Sequence, residues 1–82
     1  MNVKPLRADL VVFLEKHHLT KKFNKQLRLF KENPRYPSLH TEILKLQHSK
    51  LHSFRIDRKY RVIFGTTEDG KIEIIDINDH YQ

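Results

Sequence analysis

Residues 51–64 read LHSFRIDRKYRVIF, and this stretch decides the fold. Apolar and polar side chains alternate from Leu51 to Ile56, as they do in a strand with one buried face. Residues 57–59 can form a turn, and residues 60–64 continue as a second β-rich run. The pattern predicts a tight antiparallel hairpin.

A third strand is predicted after this hairpin. Residues 66–70 read TTEDG and form a second turn, and residues 71–77 read KIEIIDI. Because this last run is so rich in isoleucine, we expect it to lie in the centre of the sheet.

Two helices are predicted before the hairpin, after a short strand at residues 2–5. Apolar positions from Leu6 to Phe13 fall at helical spacing and predict a first helix from about Arg7 to His18. Thr20 is the expected N-cap of a second helix. That helix should end before Asn33-Pro34, since a residue that precedes proline avoids the α conformation.

These elements predict a single α+β domain over residues 1–82, with a two-helix hairpin packed on one face of a small, mostly antiparallel sheet of three to four strands. The other face of such a sheet is free to carry polar groups. Alternation places Ser53 and Arg55 on that free face, opposite Phe54. The same argument predicts that Arg61 faces outward.

Composition narrows the class of protein. The chain has 82 residues, of which 38% are hydrophobic and 32% charged, so we expect one folded domain. No apolar run approaches the ~20 residues that cross a bilayer, and the N-terminus lacks the features of a signal peptide. We therefore expect a cytoplasmic protein without membrane contact. Cysteine is absent, which excludes disulfides and a thiolate nucleophile.

Charge is concentrated in the middle of the chain. Residues 20–62 hold twelve Lys or Arg against three acidic residues, whereas residues 63–82 carry a net negative charge. Within the predicted second helix, Lys21, Lys25 and Arg28 line a face away from the apolar stripe. A basic segment of this density binds phosphate backbones or an acidic protein, or is simply a solvated surface.

Few types of chemistry remain open to this chain. There is no Gly-rich phosphate loop, and His48 and His52 straddle a region where their spacing does not bring them together, so we expect neither a cofactor nor a metal. What remains is suited to metal-free RNA cleavage, namely a carboxylate, several cations and a terminal His-Tyr pair, unless that pair is an ordinary exposed tail. These residues are Glu42, Lys45, Lys50, Arg55, Arg61, His80 and Tyr81.

The pattern as a whole resembles the RelE/ParE toxin superfamily. The resemblance is carried by Asn33-Pro34 with residues 37–39, by the segment 42–45, by the block 53–64 and by the ending 74–81. The motifs are most similar to those of the YoeB-like mRNA endoribonucleases, which cut mRNA in the ribosomal A site without a metal.

This resemblance implies roles for individual residues. Glu42, Arg61, His80 and Tyr81 would be the catalytic residues, with either Glu42 or His80 as the general base. Lys45, Lys50 and Arg55 would contact RNA phosphates. The implied partners are a cognate antitoxin, acidic where it covers the basic segment, the ribosome with its mRNA, and a second copy of the chain in a homodimer.

Two other functions fit the same fold. A ParE-like protein inhibits DNA gyrase and has no nuclease activity, and a degenerate member of the superfamily would bind only an antitoxin. The His80-Tyr81 pair and Glu42 favour the nuclease, because a gyrase inhibitor needs no proton-transfer group at that place.

Overall fold

The computed structural model describes residues 2–46 and 49–80, without the side chains of Lys45, Leu46 and Ser49. The elements follow in the order α1 (Ala8–Lys16), α2 (Thr20–Glu32), a 3₁₀ turn (Pro37–Leu39), β1 (Glu42–Leu46), β2 (Ser49–Arg55), β3 (Arg61–Thr66) and β4 (Ile72–Asn78). Two helices thus precede a four-stranded sheet, which confirms the predicted α+β class. Within the described residues, no helix is long and apolar enough to cross a membrane.

The sheet is antiparallel throughout, and its strands lie in chain order from β1 to β4. The predicted hairpin is β2–β3, in which Arg55 pairs with Arg61. Its turn is closed by the Ile56 amide, which donates a hydrogen bond of 2.9 Å to the Tyr60 carbonyl. This register decides which side chains meet on each face, because a shift by one residue would exchange the two faces.

The core lies between the helices and one face of the sheet. The apolar stripe of α1 buries Leu10 and Leu14, as the sequence predicts. From α2, Phe30 stacks on Phe54 of the sheet with ring centroids 4.7 Å apart, and Phe64 meets Phe30 edge-on at 4.9 Å. Since all helix packing is on this face, the opposite face of the sheet stays open for polar groups.

The start of α2 differs from the prediction. Thr20 is the first residue of the helix, and Leu19 occupies the N-cap position with no side-chain hydrogen bond. The Leu19 side chain is buried in the core and its carbonyl accepts a hydrogen bond from the Phe23 amide. Burial of an apolar residue thus fixes the helix start, and the predicted Thr20 cap was wrong.

The position of β4 is a second correction. This strand lies at the edge of the sheet, not at its centre, and the predicted strand at residues 2–5 is a single parallel bridge between Val3 and Ile72. Three of the four isoleucines in β4 are buried because they pack under the helices, not because strands flank them on both sides. Burial on one face can therefore produce an isoleucine-rich run in an edge strand.

Gln26 joins three elements beneath α2. Its side chain is 7% exposed, and its Nε2 donates hydrogen bonds to the Arg55 carbonyl at 2.8 Å and to the Ser38 carbonyl at 3.2 Å. The amide therefore ties α2 to the end of β2 and to the 3₁₀ turn. Sequence periodicity missed this residue because a polar side chain inside an apolar stripe carries no signal of its partners.

Replacing Gln26 by alanine should lower the free energy of unfolding by about 2 kcal/mol, because two carbonyls then lose their donor. Urea unfolding followed by circular dichroism measures the change. Lys25→Ala, at an exposed position on the same helix, is the control and should change stability by less than about 0.5 kcal/mol. Equal effects from the two variants would contradict the assigned role.

The β2–β3 turn is held by Asp57. Its Oδ1 accepts hydrogen bonds of 2.8 Å from the amides of Lys59 and Tyr60, and its Oδ2 lies 3.6 Å from the Lys22 ammonium. Burial, the largest single effect, would raise the pKa of Asp57, but these donors outweigh it and hold the pKa below its ordinary value.

Because the pKa of Asp57 is lower in the folded chain than in the unfolded one, its ionised form stabilises the fold. That contribution is present above the ordinary value of 3.8 and is lost as the pH falls below it. Unfolding free energies measured between pH 6 and pH 3 should therefore fall less steeply in Asp57→Asn than in the unmodified chain. Parallel curves would refute this.

Candidate functional site

Arg61 lies on the open face of the sheet but is buried. Its exposure is only 4%, so the prediction of an outward-facing side chain was right about the face and wrong about the exposure. Its Nε donates to the Ser53 hydroxyl at 2.9 Å, and its Nη2 donates to the His40 carbonyl and, at 3.4 Å, to the Ser53 carbonyl. The guanidinium thus reaches across β2 towards the start of β1 and is fixed there.

Glu42 adds a carboxylate to this arrangement. It is the first residue of β1, pairs with Ser53, and brings its Oε2 within 4.0 Å of Arg61 Nη2. The Glu42 side chain remains 59% exposed. Burial of the guanidinium lowers the pKa of Arg61, the Glu42 charge opposes that effect, and the nearby Arg55 adds to it. A guanidinium nevertheless stays charged in proteins, so the site holds a fixed cation.

Arg55 places a second cation directly across the hairpin from Arg61. Like charges opposite each other in a sheet are destabilising. Among the described residues no carboxylate lies within ion-pair distance of Arg55. Two adjacent cations with one loosely held carboxylate leave the site with unbalanced positive charge, as an anion-binding site requires. We call Arg61, Arg55, Ser53, Glu42 and the His40 carbonyl the Arg61 cluster.

His80 follows the strand that pairs with Arg61. Asn78, at the end of β4, is the register partner of Arg61, and His80 lies two residues further along the chain. The His80 amide donates a 3.0 Å hydrogen bond to the Asn78 side chain, and its imidazole is 79% exposed, with Nδ1 3.9 Å from Asp79. The segment that carries His80 therefore begins at the end of β4 that lies beside Arg61. Tyr81 lies outside the described residues.

The predicted lysines lie further away. Lys45 and Lys50 pair with each other at the far end of the β1–β2 hairpin, and the Lys45 side chain is outside the described part of the chain. Lys50 lies five positions before Arg55 in β2, or about 17 Å along the strand. The structure thus groups Glu42, Arg55 and Arg61, and it does not bring Lys50 to them.

The sequence did not predict that Ser53 and His40 accept hydrogen bonds from Arg61. Ser53 was placed on the open face, but its bond to Arg61 follows only from the β2–β3 register. The His40 carbonyl contributes through a left-handed backbone conformation, with φ of 44° after the 3₁₀ turn. In the described part of the chain no group of three His, Cys, Asp or Glu side chains is placed to hold a metal ion, and His48 lies outside that part.

A separate basic surface lies on α2. Lys21, Lys22, Lys25 and Arg28 are exposed there and line a shallow groove together with Asn24. The helices cover the face of the sheet opposite the Arg61 cluster, so this surface is separate from the cluster. Its charge suits a phosphate backbone or an acidic protein, as the sequence indicated.

The fold and the cluster together define a class: small α+β proteins in which a helical hairpin covers one face of an antiparallel sheet and basic groups collect on the other. Two solved structures illustrate this fold. A YoeB/ParE toxin from Agrobacterium tumefaciens matches 99% of this chain and 100% of its own length at a TM-score of 0.72 and 22% identity.

A second structure is the YoeB dimer from Staphylococcus aureus, which matches 98% of this chain and 94% of its own at a TM-score of 0.65 and 23% identity. No protein-family model and no curated protein sequence matches the chain. The chain therefore has the YoeB/ParE toxin fold over nearly its whole length, which confirms the fold that the resemblance implied.

Proposed function

We propose that this chain is the toxin of a type II toxin–antitoxin system and that it cuts mRNA on the ribosome without a metal. The observation that carries the proposal is the guanidinium of Arg61. It is buried and held by three hydrogen bonds on the open face of a YoeB/ParE toxin fold. A carboxylate and a second arginine lie beside it, and the segment that carries His80 follows Asn78, the register partner of Arg61. These are the groups required to cleave RNA by attack of its 2′-hydroxyl on the adjacent phosphate.

The reaction needs one nucleophile and two proton transfers. The 2′-oxygen forms a bond to the adjacent phosphorus while the bond from phosphorus to the 5′-oxygen of the next nucleotide breaks. A base removes the 2′-hydroxyl proton, and an acid delivers a proton to the leaving 5′-oxygen. The products are a 2′,3′-cyclic phosphate and a free 5′-hydroxyl, and no water or metal is consumed.

Arg61 is arranged to neutralise the charge that builds up on phosphorus. Its Nε and Nη2 donate to Ser53 and His40, whereas Nη1 donates to no acceptor in the described part of the chain. Two N–H groups therefore remain for a phosphate oxygen. Because the guanidinium is already oriented, it stabilises the transition state without the cost of reorganisation.

Glu42 and His80 are the groups that move protons. Glu42 is exposed beside Arg61, and His80 is exposed after the strand that pairs with Arg61. One acts as the base and the other as the acid. Arg55, which lacks an acidic partner in the described residues, binds a second phosphate oxygen.

The proposal includes partners and a location. Ribosomes and mRNA place the reaction in the cytoplasm. The antitoxin carries acidic groups that cover the basic residues of the middle segment, and its binding weakens as salt concentration rises. The YoeB of Staphylococcus aureus, which has this fold, is a dimer in its solved structure. A homodimer is therefore also part of the proposal.

A bacterial translation reaction tests the activity. The purified chain is added, and new mRNA 5′ ends are mapped by primer extension, with and without ribosomes. Cuts inside codons that require ribosomes are expected. Lys16→Ala, at an exposed position at the end of α1, is the control variant and should cut as the unmodified chain does.

Intact mRNA in this reaction would contradict the proposal. A gyrase supercoiling assay with the same preparation then distinguishes the ParE-like alternative, because inhibition of supercoiling without RNA cleavage is the result that a gyrase-binding toxin gives. Inactivity in both assays would favour the third alternative, a degenerate toxin that binds only an antitoxin.

A further inference from the structure

The proposed cleavage mechanism makes no use of the basic surface on the outer side of α2. This surface is a shallow groove of about 480 Å³, and we call it the α2 basic surface. It is lined by Lys21, Lys22, Asn24, Lys25 and Arg28. We propose that the α2 basic surface binds the phosphate backbone of ribosomal RNA while the Arg61 cluster holds the mRNA. The choice of the ribosome as the source of this RNA rests on the proposed function.

The helix directs these cations away from the rest of the chain. On the opposite side of α2, Phe30 is buried against the sheet. Lys21 and Lys25 are four residues apart and Arg28 follows three residues later, so the three side chains project from one side of the helix. Because the Arg61 cluster lies on the face of the sheet that the helices leave open, RNA bound at one surface leaves the other surface accessible.

The charge of the α2 basic surface is not balanced within the described part of the chain. Lys22 Nζ lies 3.6 Å from the Asp57 carboxylate. For the other three cations, no carboxylate among residues 2–46 and 49–80 lies within ion-pair distance. The groove lining contains no acidic residue either. The surface is therefore arranged to take its counter-charge from an anionic partner.

This arrangement of charge costs stability. Lys21 and Lys22 lie in the first turn of α2, where the helix dipole disfavours positive charge, and that turn carries no acidic residue. Like charges four residues apart on a helix, such as those of Lys21 and Lys25, also repel each other. A merely solvated surface gains nothing from this placement, whereas a surface that binds phosphates requires it.

The composition of the surface favours RNA over a protein partner. Protein interfaces are built around buried apolar and aromatic side chains, and lysine is depleted in them. In the described part of the chain, none of the exposed large apolar side chains lines this groove; they are Val11, Val12, Tyr36 and Ile43. Nucleic-acid interfaces are polar and strongly positive. Asn24 adds an amide that can donate to phosphate or ribose oxygens.

The test is the salt dependence of binding to purified bacterial ribosomes that carry no mRNA. Each phosphate contact makes the logarithm of the binding constant fall with the logarithm of salt concentration, with a slope of about −0.7 to −0.9. Lys21→Gln/Lys25→Gln/Arg28→Gln removes three such contacts and keeps Lys22, the partner of Asp57. This variant should bind ribosomes about 10- to 100-fold more weakly, with a slope smaller in magnitude by about two to three.

The matched control is Lys4→Gln/Lys16→Gln/Lys71→Gln, which removes the same charge from exposed positions elsewhere. Lys4 and Lys71 already have carboxylate partners, at 3.3 Å and 3.7 Å. This variant should bind ribosomes with nearly the affinity and the slope of the unmodified chain. Equal weakening by both triple variants would overturn the proposal, because net charge alone would then explain the binding.

Loss of the fold should not contribute to the effect of the α2 variant. Glutamine forms helices about as well as lysine and arginine do, and the substitutions remove repulsion between like charges. We therefore expect a thermal midpoint equal to or higher than that of the unmodified chain. Thermal unfolding verifies this before binding is measured.

A second measurement separates RNA from an acidic protein. Double-stranded RNA and polyglutamate are compared as ligands of the chain by fluorescence anisotropy, at equal concentrations of charge. RNA should bind more tightly, and the three α2 substitutions should weaken its binding. Tighter binding of polyglutamate that depends on the same residues would overturn the proposal and assign the surface to an acidic protein.

Both measurements record binding and not cleavage, so the two proposals can fail separately. A chain that cuts no mRNA but binds ribosomes through α2 contradicts the proposed function alone. A chain that cuts mRNA and whose ribosome binding is unchanged by the α2 substitutions contradicts the RNA-binding role of α2 alone.

Discussion

His80→Ala is expected to cut ribosome-bound mRNA about 100- to 10,000-fold more slowly than the unmodified chain, because it removes a proton-transfer group. The fold should be unaffected. The imidazole is 79% exposed and its Nδ1 lies 3.9 Å from the Asp79 carboxylate, so the free energy of unfolding should change by less than about 0.5 kcal/mol. Single-turnover cleavage rates and urea unfolding measure the two quantities.

The matched control for this variant is His18→Asn. His18 is also exposed, but it lies at the end of α1 in a left-handed conformation with φ of 56°, which asparagine adopts readily. That variant should cut at the normal rate. Full activity of His80→Ala would show that His80 takes no part in the mechanism. Glu42 would then be the one proton-transfer group proposed among the described residues.

Arg61→Ala is expected to reduce cleavage about 100- to 1,000-fold, since it removes the group that stabilises charge on the phosphate. It should also lower the free energy of unfolding by about 3 kcal/mol. The reason is that the carbonyls of His40 and Ser53 and the Ser53 hydroxyl all lose their donor.

A core variant separates these two effects of Arg61→Ala. Phe30→Leu loosens the packing against Phe54 on the helix side of the sheet and lowers stability without touching the Arg61 cluster. At a temperature where both variants are folded, Phe30→Leu should keep its cleavage rate. Equal losses of activity in the two variants would show that Arg61 acts only through stability.

Much of the fold was predictable because it depends on local patterns. The alternation in residues 51–64 specified the hairpin, and the helical spacing before it specified α1 and α2. Whether β4 lay at the centre or the edge was not predictable from its isoleucines, because one covered face and two flanking strands give the same apolar run. The Thr20 cap failed because burial of Leu19 outweighed a local preference.

The candidate site was predictable in its residue types but not in its geometry. Alternation put Arg61 on the open face, yet its burial depends on acceptors from His40 and Ser53, which are far from it in sequence. Local patterns carry no information on such contacts.

In the proposed mechanism the 2′-hydroxyl of the RNA attacks the adjacent phosphate, which Arg61 holds, while Glu42 and His80 transfer the protons. The most direct measurement replaces one nucleotide of a ribosome-bound mRNA, at the mapped cut, by its 2′-deoxy counterpart. We expect cutting at this position to stop while neighbouring cuts persist, and we expect the unmodified mRNA to yield a 5′-hydroxyl end. Continued cutting at the deoxy position would contradict it.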